Sequence, residues 1–305
     1  MKNFITRGKK GDLHMLLYVV KQMGGGNLLI APGEFEEPLE SILESCSRLV
    51  CAQNYIHRFD IYKGEFIDVD LDLYRKSSLL YRTTLLEVIS SPHGLKIKYP
   101  VEPWIDVPPD PRFKEKIILH RRKSVVWGRE NKLFNWKQLL ENIGYQNCIF
   151  VSRLKEEWNE FGFPQVEYYC PKDNYEHAQI IKASRLFIGN QSFPSALADA
   201  LGVNRIFELS TGLDRKHFQI SYADNVWYFA NPWNGSIKNF RYLKIANSKS
   251  YHDLSTGEIA LKVESYFSSF WKTIFLEIRF QWFFCREMCK RFVKYVYWKK
   301  IFKSI

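Results

Sequence analysis

The stretch Ala183 to Glu208, ASRLFIGNQSFPSALADALGVNRIFE, constrains this chain more than any other. Leu186, Phe187 and Ile188 form a short apolar run that stops at Gly189, which predicts a buried strand over Arg185 to Gly189. A polar loop through Asn190, Gln191 and Ser192 leads to an alanine-rich helix, Ser195 to Leu201, with Pro194 in its first turn and Gly202 closing it. Proline is tolerated there because the N–H it lacks has no partner within the helix. Strand, loop, helix and strand make half of a doubly wound α/β unit. Beyond the carboxyl end of such a strand, the free N–H groups and positive dipole end of the helix suit a phosphate.

The preceding residues repeat this alternation. Asn3 to Thr6, Leu28 to Ala31 and Tyr55 to Tyr62 read as strands, and Leu13 to Met23, Leu39 to Leu49 and Tyr74 to Ser90 as helices. Between them, Phe66 to Leu73 alternates apolar residues with Asp68, Asp70 and Asp72, placing the three carboxylates on one strand face. Residues 91–111 hold six prolines with little periodicity and read as a connection. A second α/β series follows, with strands at Ile117 to Leu119, Val125 to Trp127, Cys148 to Val151 and Val166 to Tyr169, and helices at Trp136 to Ile143, Leu154 to Phe161 and Tyr175 to Ala183. Alternating elements argue for parallel sheets, and 305 residues suit two domains. The expectation is two Rossmann-like halves facing across a cleft, 1–111 (the connection starting at 91) and 112–255, with a helical tail over 256–305.

That tail is dense in aromatics and bases. From Trp271 to Ile305 nine lysines and arginines stand against Glu277 and Glu287, a large part of the +11 net charge. Its first half reads as a helix packing on the N-terminal half, and its second as an interfacial anchor on anionic lipid. No nucleic-acid module accompanies the charge, so a nucleic-acid partner is not expected. The six cysteines form no C-x-x-C pair, which reads as a reducing compartment. MKNFITRGKK lacks the apolar core of a signal peptide, and no uncharged apolar run reaches the roughly 18–20 residues of a spanning helix. These features together predict a cytoplasmic protein, peripheral at the inner membrane face.

Asp12, after Gly11 at the opening of a helix, reads either as an N-cap or as a general base at the cleft. Here the residues carry a family resemblance. Gly11-Asp12-Leu13-His14-x-Leu16 resembles the G-D-[VIL]-[LIH] loop of heptosyltransferase-like (family 9-like) bacterial glycosyltransferases, which have the GT-B fold. Arg129 to Trp136 resembles their R-x-x-K-x-W-P segment, and Phe187-Ile188-Gly189-Asn190-Gln191-Ser192-x-x-Ser195-Ala196-x-Ala198 their I-G-x-D-[ST]-G-x-x-H-x-A loop. The three motifs keep their order over about two-thirds of the chain.

The resemblance implies inverting, metal-independent transfer of a sugar from a nucleotide-diphosphate donor to a hydroxyl of a cell-surface glycan or lipid-linked acceptor. Asp12 is then the base and Gly11 allows close approach of the substrate. Arg129 and Lys132 offset phosphate charge, and Gly189, Asn190, Gln191, Ser192 and Ser195 form the diphosphate loop. Glu156 or Glu157 is placed to meet the ribose hydroxyls. No cofactor beyond the nucleotide-sugar co-substrate is implied. Two departures stand out: the family's Asp-Thr-Gly is Asn190-Gln191-Ser192, and its loop histidine is Ser195. They leave the donor open and keep a catalytically degenerate GT-B-like scaffold as the alternative. Asp68-x-Asp70-x-Asp72 is also readable as a metal-binding D-x-D, though a solvated or loop-facing edge is the simpler reading. His14, His57, His93, His120, His177 and His217 show no zinc-ligand spacing.

Overall fold

The computed structural model describes residues 1–35, 37–79, 84–98, 101–123, 134, 136–208 and 226–229. Arg129, Lys132, the strand expected at 125–127 and the tail over 256–305 lie outside the described residues.

The first sheet contains β1 (Lys2–Thr6), β2 (Gly26–Ile30), β3 (Ile56–Ile61) and β4 (Val69–Asp70), all parallel, in the order β3-β2-β1-β4. Helix α1 (Lys10–Gln22) joins β1 to β2, α2 (Leu39–Cys51) joins β2 to β3, and α3 (Leu85–Ser90) follows β4. The second sheet is built from β5 (Ile117–His120), β6 (Cys148–Val151), β7 (Glu167–Tyr169), β8 (Leu186–Asn190), β9 (Arg205–Glu208) and β10 (Val226–Phe229). It too is parallel, in the order β10-β9-β8-β5-β6-β7. Its helices are α4 (Trp136–Ile143), α5 (Lys155–Phe161), α6 (Asn174–Ala183) and α7 (Phe193–Ala200).

Parallel strands covered on both faces need near-continuous apolar runs, and Leu28-Leu29-Ile30, Ile117-Ile118-Leu119 and Leu186-Phe187-Ile188 supply them. Successive side chains then serve different cores. Ile118 joins the large cluster shared with α1, α2, α6 and α7, whereas Ile117 and Leu119 pack with Trp136, Leu140 and Phe161. The tight return from α1 into β2 depends on glycine. Gly25 has φ +79°, and a methyl group there would lie 2.3 Å from the Tyr55 carbonyl oxygen.

Three expectations change. The chain from Phe66 to Leu73 is not a strand with an acidic face: only Val69–Asp70 pairs in the sheet, and Leu71–Lys76 winds into a 3-10 helix. The carboxylates are consumed locally. Asp68 accepts from the Asn3 N–H at 2.8 Å, Asp70 caps the 3-10 helix, and Asp72 accepts from Thr6 Oγ1 and the Arg7 N–H. The helix expected from Tyr74 is described only as that 3-10 turn and the short α3, the latter capped by Thr84. The proline-rich connection is also no loose tether. Trp104 is buried, its indole N–H donates to the His14 carbonyl (2.9 Å), and its own carbonyl accepts from the Tyr55 hydroxyl (2.5 Å). The N–H groups of Trp104 and Ile105 both reach the Ala200 carbonyl. Burying an indole of that size is worth about 4–6 kcal/mol of transfer free energy as an upper value. The connection therefore ties α1 to α7.

Candidate active site

In each sheet the chain reverses its direction of growth once. The first runs β1, β2, β3 outward and then places β4 on the other side of β1; the second runs β5, β6, β7 and then places β8 on the other side of β5. Ligands of open α/β sheets lie in the crevice at such reversals, outside the carboxyl ends of the strands. The reversal in the first sheet flanks the loop Arg7–Lys9 and the 3-10 turn Leu71–Lys76, and that in the second flanks residues 121–123 and 191–192.

Asp12 lies in the first turn of α1, which begins at Lys10, earlier than the apolar pattern implied. It is therefore not the residue flanking the helix start, although its Oδ2 does accept the Lys9 N–H at 3.4 Å. The same oxygen accepts from the Tyr74 hydroxyl at 3.0 Å and from Arg75 Nη2 at 2.9 Å. Burial, and after it the Asp12 charge, raises the Tyr74 phenol far above its ordinary pKa, so it stays a hydrogen-bond donor. Arg75 also meets Glu34 at 2.6 Å and lies over the Tyr74 ring at 4.9 Å. Oδ1 of Asp12 has no hydrogen bond among the described residues.

In the second sheet Asn190 is fully buried at the end of β8, and its amide makes a reciprocal pair with the backbone after β5. Oδ1 accepts the Arg122 N–H (3.1 Å) and Nδ2 donates to the Arg122 carbonyl (2.9 Å). The hydroxyls of Ser192 (3.0 Å) and Ser195 both donate to the Asn190 carbonyl. The side chains of Asn190, Ser192 and Ser195 thus fasten the loop that leads into α7. Gly189 needs its missing side chain, because a methyl group there would meet the His120 carbonyl oxygen at 2.8 Å. Gln191 is buried beside them. Of the two glutamates after β6, Glu156 is exposed and Glu157 turns inward. Glu157 Oε2 accepts from Ser152 Oγ at 2.5 Å and lies 3.8 Å from His120 Nε2, and Oε1 lies 3.6 Å from Arg122 Nε.

The two reversal points meet through the first turns of α1 and α7. A methyl group on Gly11 would lie 3.8 Å from the Phe193 Cα, an ordinary contact. The Phe193 ring is held edge-on by two imidazoles, His14 at 4.9 Å between centroids and His177 of α6 at 5.8 Å. Both histidines are buried. His14 Nδ1 meets the Lys10 carbonyl at 2.7 Å, but His14 Nε2 and both His177 nitrogens have no hydrogen-bond partner among the described residues. Desolvation, the largest cause in each case, lowers His14 to about 4 against the opposing hydrogen bond to the Lys10 carbonyl and His177 to about 3, with the charges of Lys10 on the first and of His120, Arg153 and His14 on the second adding to it. Both rings are neutral at pH 7.

The structure thus brings Gly11 and Asp12 to the same junction as the loop 189–195. It also adds Tyr74, Arg75, Phe193 and His177, which sequence reasoning missed. The one available hint was the Tyr-Arg pair directly after the carboxylate run of 68–72. Among the described residues no three His, Cys, Asp or Glu side chains are grouped to hold a metal ion, and no helix is long and apolar enough to cross a membrane.

No protein-family model and no curated protein sequence matches the chain. Solved structures do. The E. coli heptosyltransferase WaaC, determined with ADP-2-deoxy-2-fluoro heptose, superposes with a TM-score of 0.50 at 11% identity, over 76% of this chain and 94% of WaaC. A family 9 glycosyl transferase from Veillonella parvula gives a TM-score of 0.51 at 12% identity, over 87% and 97%. TibC of enterotoxigenic E. coli, described as an iron-containing dodecameric glycosyltransferase, gives 0.50 at 14%, over 72% of this chain and 61% of TibC. At such identities the likeness is one of fold: this chain folds as two parallel α/β halves like those heptosyltransferase and family 9 structures, consistent with the GT-B architecture.

Proposed function

We propose that this protein is an inverting glycosyltransferase that moves a sugar from a nucleotide-diphosphate donor to a hydroxyl of a glycan or lipid-linked acceptor. The observation that carries the reading is the junction itself. A carboxylate with one oxygen unengaged among the described residues, Asp12, stands on the first turn of α1, and that turn abuts the N-terminal turn of α7 through Gly11 and Phe193. Base and anion-binding helix end are thereby within one substrate's reach.

In this mechanism Asp12 takes the proton of the acceptor hydroxyl as its oxygen attacks the anomeric carbon. The bond from that carbon to the diphosphate oxygen breaks, the nucleoside diphosphate leaves with the electron pair, and the configuration inverts. The N–H groups and dipole at the start of α7 take up the growing negative charge, with Arg129 and Lys132 assisting. Glu157, in the first turn of α5 after β6, accepts hydroxyl donors such as those of a ribose. The half built on the first sheet receives the acceptor, and the half built on the second receives the donor. No metal is required.

A thermal-shift panel of ADP, GDP, UDP and CMP, with and without EDTA, tests the donor site. ADP, the nucleotide of the WaaC ligand, is expected to raise Tm by about 5 °C at a hundred times its Kd, unchanged by EDTA. No shift with any nucleotide would refute the donor site. A degenerate, non-catalytic scaffold is the second reading, favoured by the inward engagement of Asn190 and Ser195. It predicts the same ADP shift with no turnover. We place the protein at the inner membrane face through residues 271–305. Deleting Phe284 to Ile305 should release it from anionic vesicles without loss of transfer to a soluble acceptor, and retained vesicle binding would refute the anchor.

A further inference from the structure

We propose that Tyr74 and Arg75 are positioning residues that lock the Asp12 carboxylate through one oxygen and reserve the other for the acceptor hydroxyl. The inference rests on the reading of Asp12 as the base. Its ground is an asymmetry: among the described residues all three donors that reach Asp12, the Tyr74 hydroxyl, Arg75 Nη2 and the Lys9 N–H, go to Oδ2. A carboxylate held only by its backbone would rotate about its last bond and present either oxygen. One whose Oδ2 is engaged from the side chains of a second element presents Oδ1 in a single direction.

The clamp is itself held at several points. Arg75 is bound by Glu34 at 2.6 Å and stacks on Tyr74, and its Nε lies 3.6 Å from Asp72. Asp72 is in turn held by Thr6 Oγ1 (3.1 Å) and the Arg7 N–H (2.6 Å), both at the end of β1. Gly8 leaves room for the arrangement. A methyl group there would lie 2.9 Å from Arg75 Nη2 and 3.2 Å from Asp12 Cβ. The chain from Thr6 to Asp72 to Arg75 to Asp12 thus spans the β1/β4 reversal. The position of the base is set jointly by the strand that precedes α1 and the turn that follows β4.

The test uses the full chain, with ADP-heptose as donor probe and ADP for equilibrium binding. Tyr74→Phe keeps the ring under Arg75 and removes only the hydroxyl; Arg75→Gln removes the charge and the fork; Arg75→Lys keeps the charge. The expected result is a kcat lowered about 10- to 100-fold in Tyr74→Phe and Arg75→Gln, with partial recovery in Arg75→Lys. Donor KM and the Kd for ADP stay at their wild-type values, because among the described residues the side-chain partners of Tyr74 and Arg75 are Asp12, Glu34 and Asp72. A merely structural role would lower the melting temperature and leave kcat per folded molecule unchanged, and that outcome overturns the proposal. Should Arg75→Gln fail to fold, Tyr74→Phe decides alone. Turnover surviving in Asp12→Asn would overturn both the base and its positioning. Loss of turnover in Asp12→Asn alone, with both clamp variants at wild-type rate, overturns the positioning and leaves the base. If the wild type turns over no nucleotide sugar, the function reading fails by itself. Crystal structures then judge the clamp: a carboxylate displaced in Arg75→Gln supports it, and one unmoved overturns it.

Discussion

Asp12→Asn is expected to lower glycosyl transfer by about 10²- to 10⁴-fold while leaving ADP binding unchanged, which a coupled assay for nucleoside diphosphate release and the thermal shift with ADP would measure side by side. Asparagine keeps the volume and still accepts the Tyr74 hydroxyl through its carbonyl oxygen, so the first turn of α1 should hold its shape. What it cannot do is take a proton from the acceptor. The ion pair with Arg75 is lost as well, but that pair is partly exposed at both partners, and Glu34 and Asp72 remain beside the guanidinium. Its removal should therefore cost only about 1 kcal/mol of stability. The signature is a large loss in rate with a small loss in stability and an intact donor site. Equal losses in ADP binding and turnover would assign Asp12 to nucleotide binding or folding instead.

Acidification should weaken the fold, with His14 and His177 as main contributors beside His120 and His93, whose burial lowers them in the same direction. His14 and His177 titrate near 6.5 when unfolded and at about 4 and about 3 in the folded protein. Below pH 6.5 the unfolded chain binds protons that the folded chain refuses, so stability falls as pH falls, and each group stops contributing only below its own folded value. By pH 5 each should have removed about 2 kcal/mol, a large part of the stability of an ordinary domain. The groups facing these rings relieve little of the effect: the Lys10 carbonyl favours the charged form of His14 but the Lys10 ammonium opposes it, and Arg153, His120 and His14 oppose charge on His177. Urea unfolding followed from pH 7.5 to 5 should show this loss. His177→Phe should flatten the curve and match or exceed the wild type at pH 7, since it also removes two buried nitrogens that have no hydrogen-bond partner among the described residues. Parallel curves for the two proteins would show that His177 is not the source.

These effects differ in how far a reader of the sequence alone could have reached them. Asp12, the loop after β8 and Pro194 were all legible, because each is announced by its immediate neighbours: a glycine before the carboxylate, an apolar run ending at a glycine, a proline that only a first helical turn tolerates. The D-x-D run misled in shape, since alternation over residues 66–73 has the period of a strand. The backbone instead follows the N–H groups of Asn3 and Arg7, which Asp68 and Asp72 accept from 65 residues away. No local pattern records that.

The sequence by itself determined the alternation of most strands and helices, the parallel sheets that alternation implies and the candidacy of Asp12 and of residues 189–195, because periodicity, capping and chain stops act between near neighbours. The tertiary structure alone decided the rest. Placing β4 beside β1 and β8 beside β5 brought Tyr74 and Arg75 to Asp12 across 62 and 63 residues and joined Asn190 to Arg122 across 68. Packing α1 on α7 then closed Phe193 between His14 and His177. Strand order and helix contact arise from burying two apolar faces at once, a property of the whole chain that no window of residues contains.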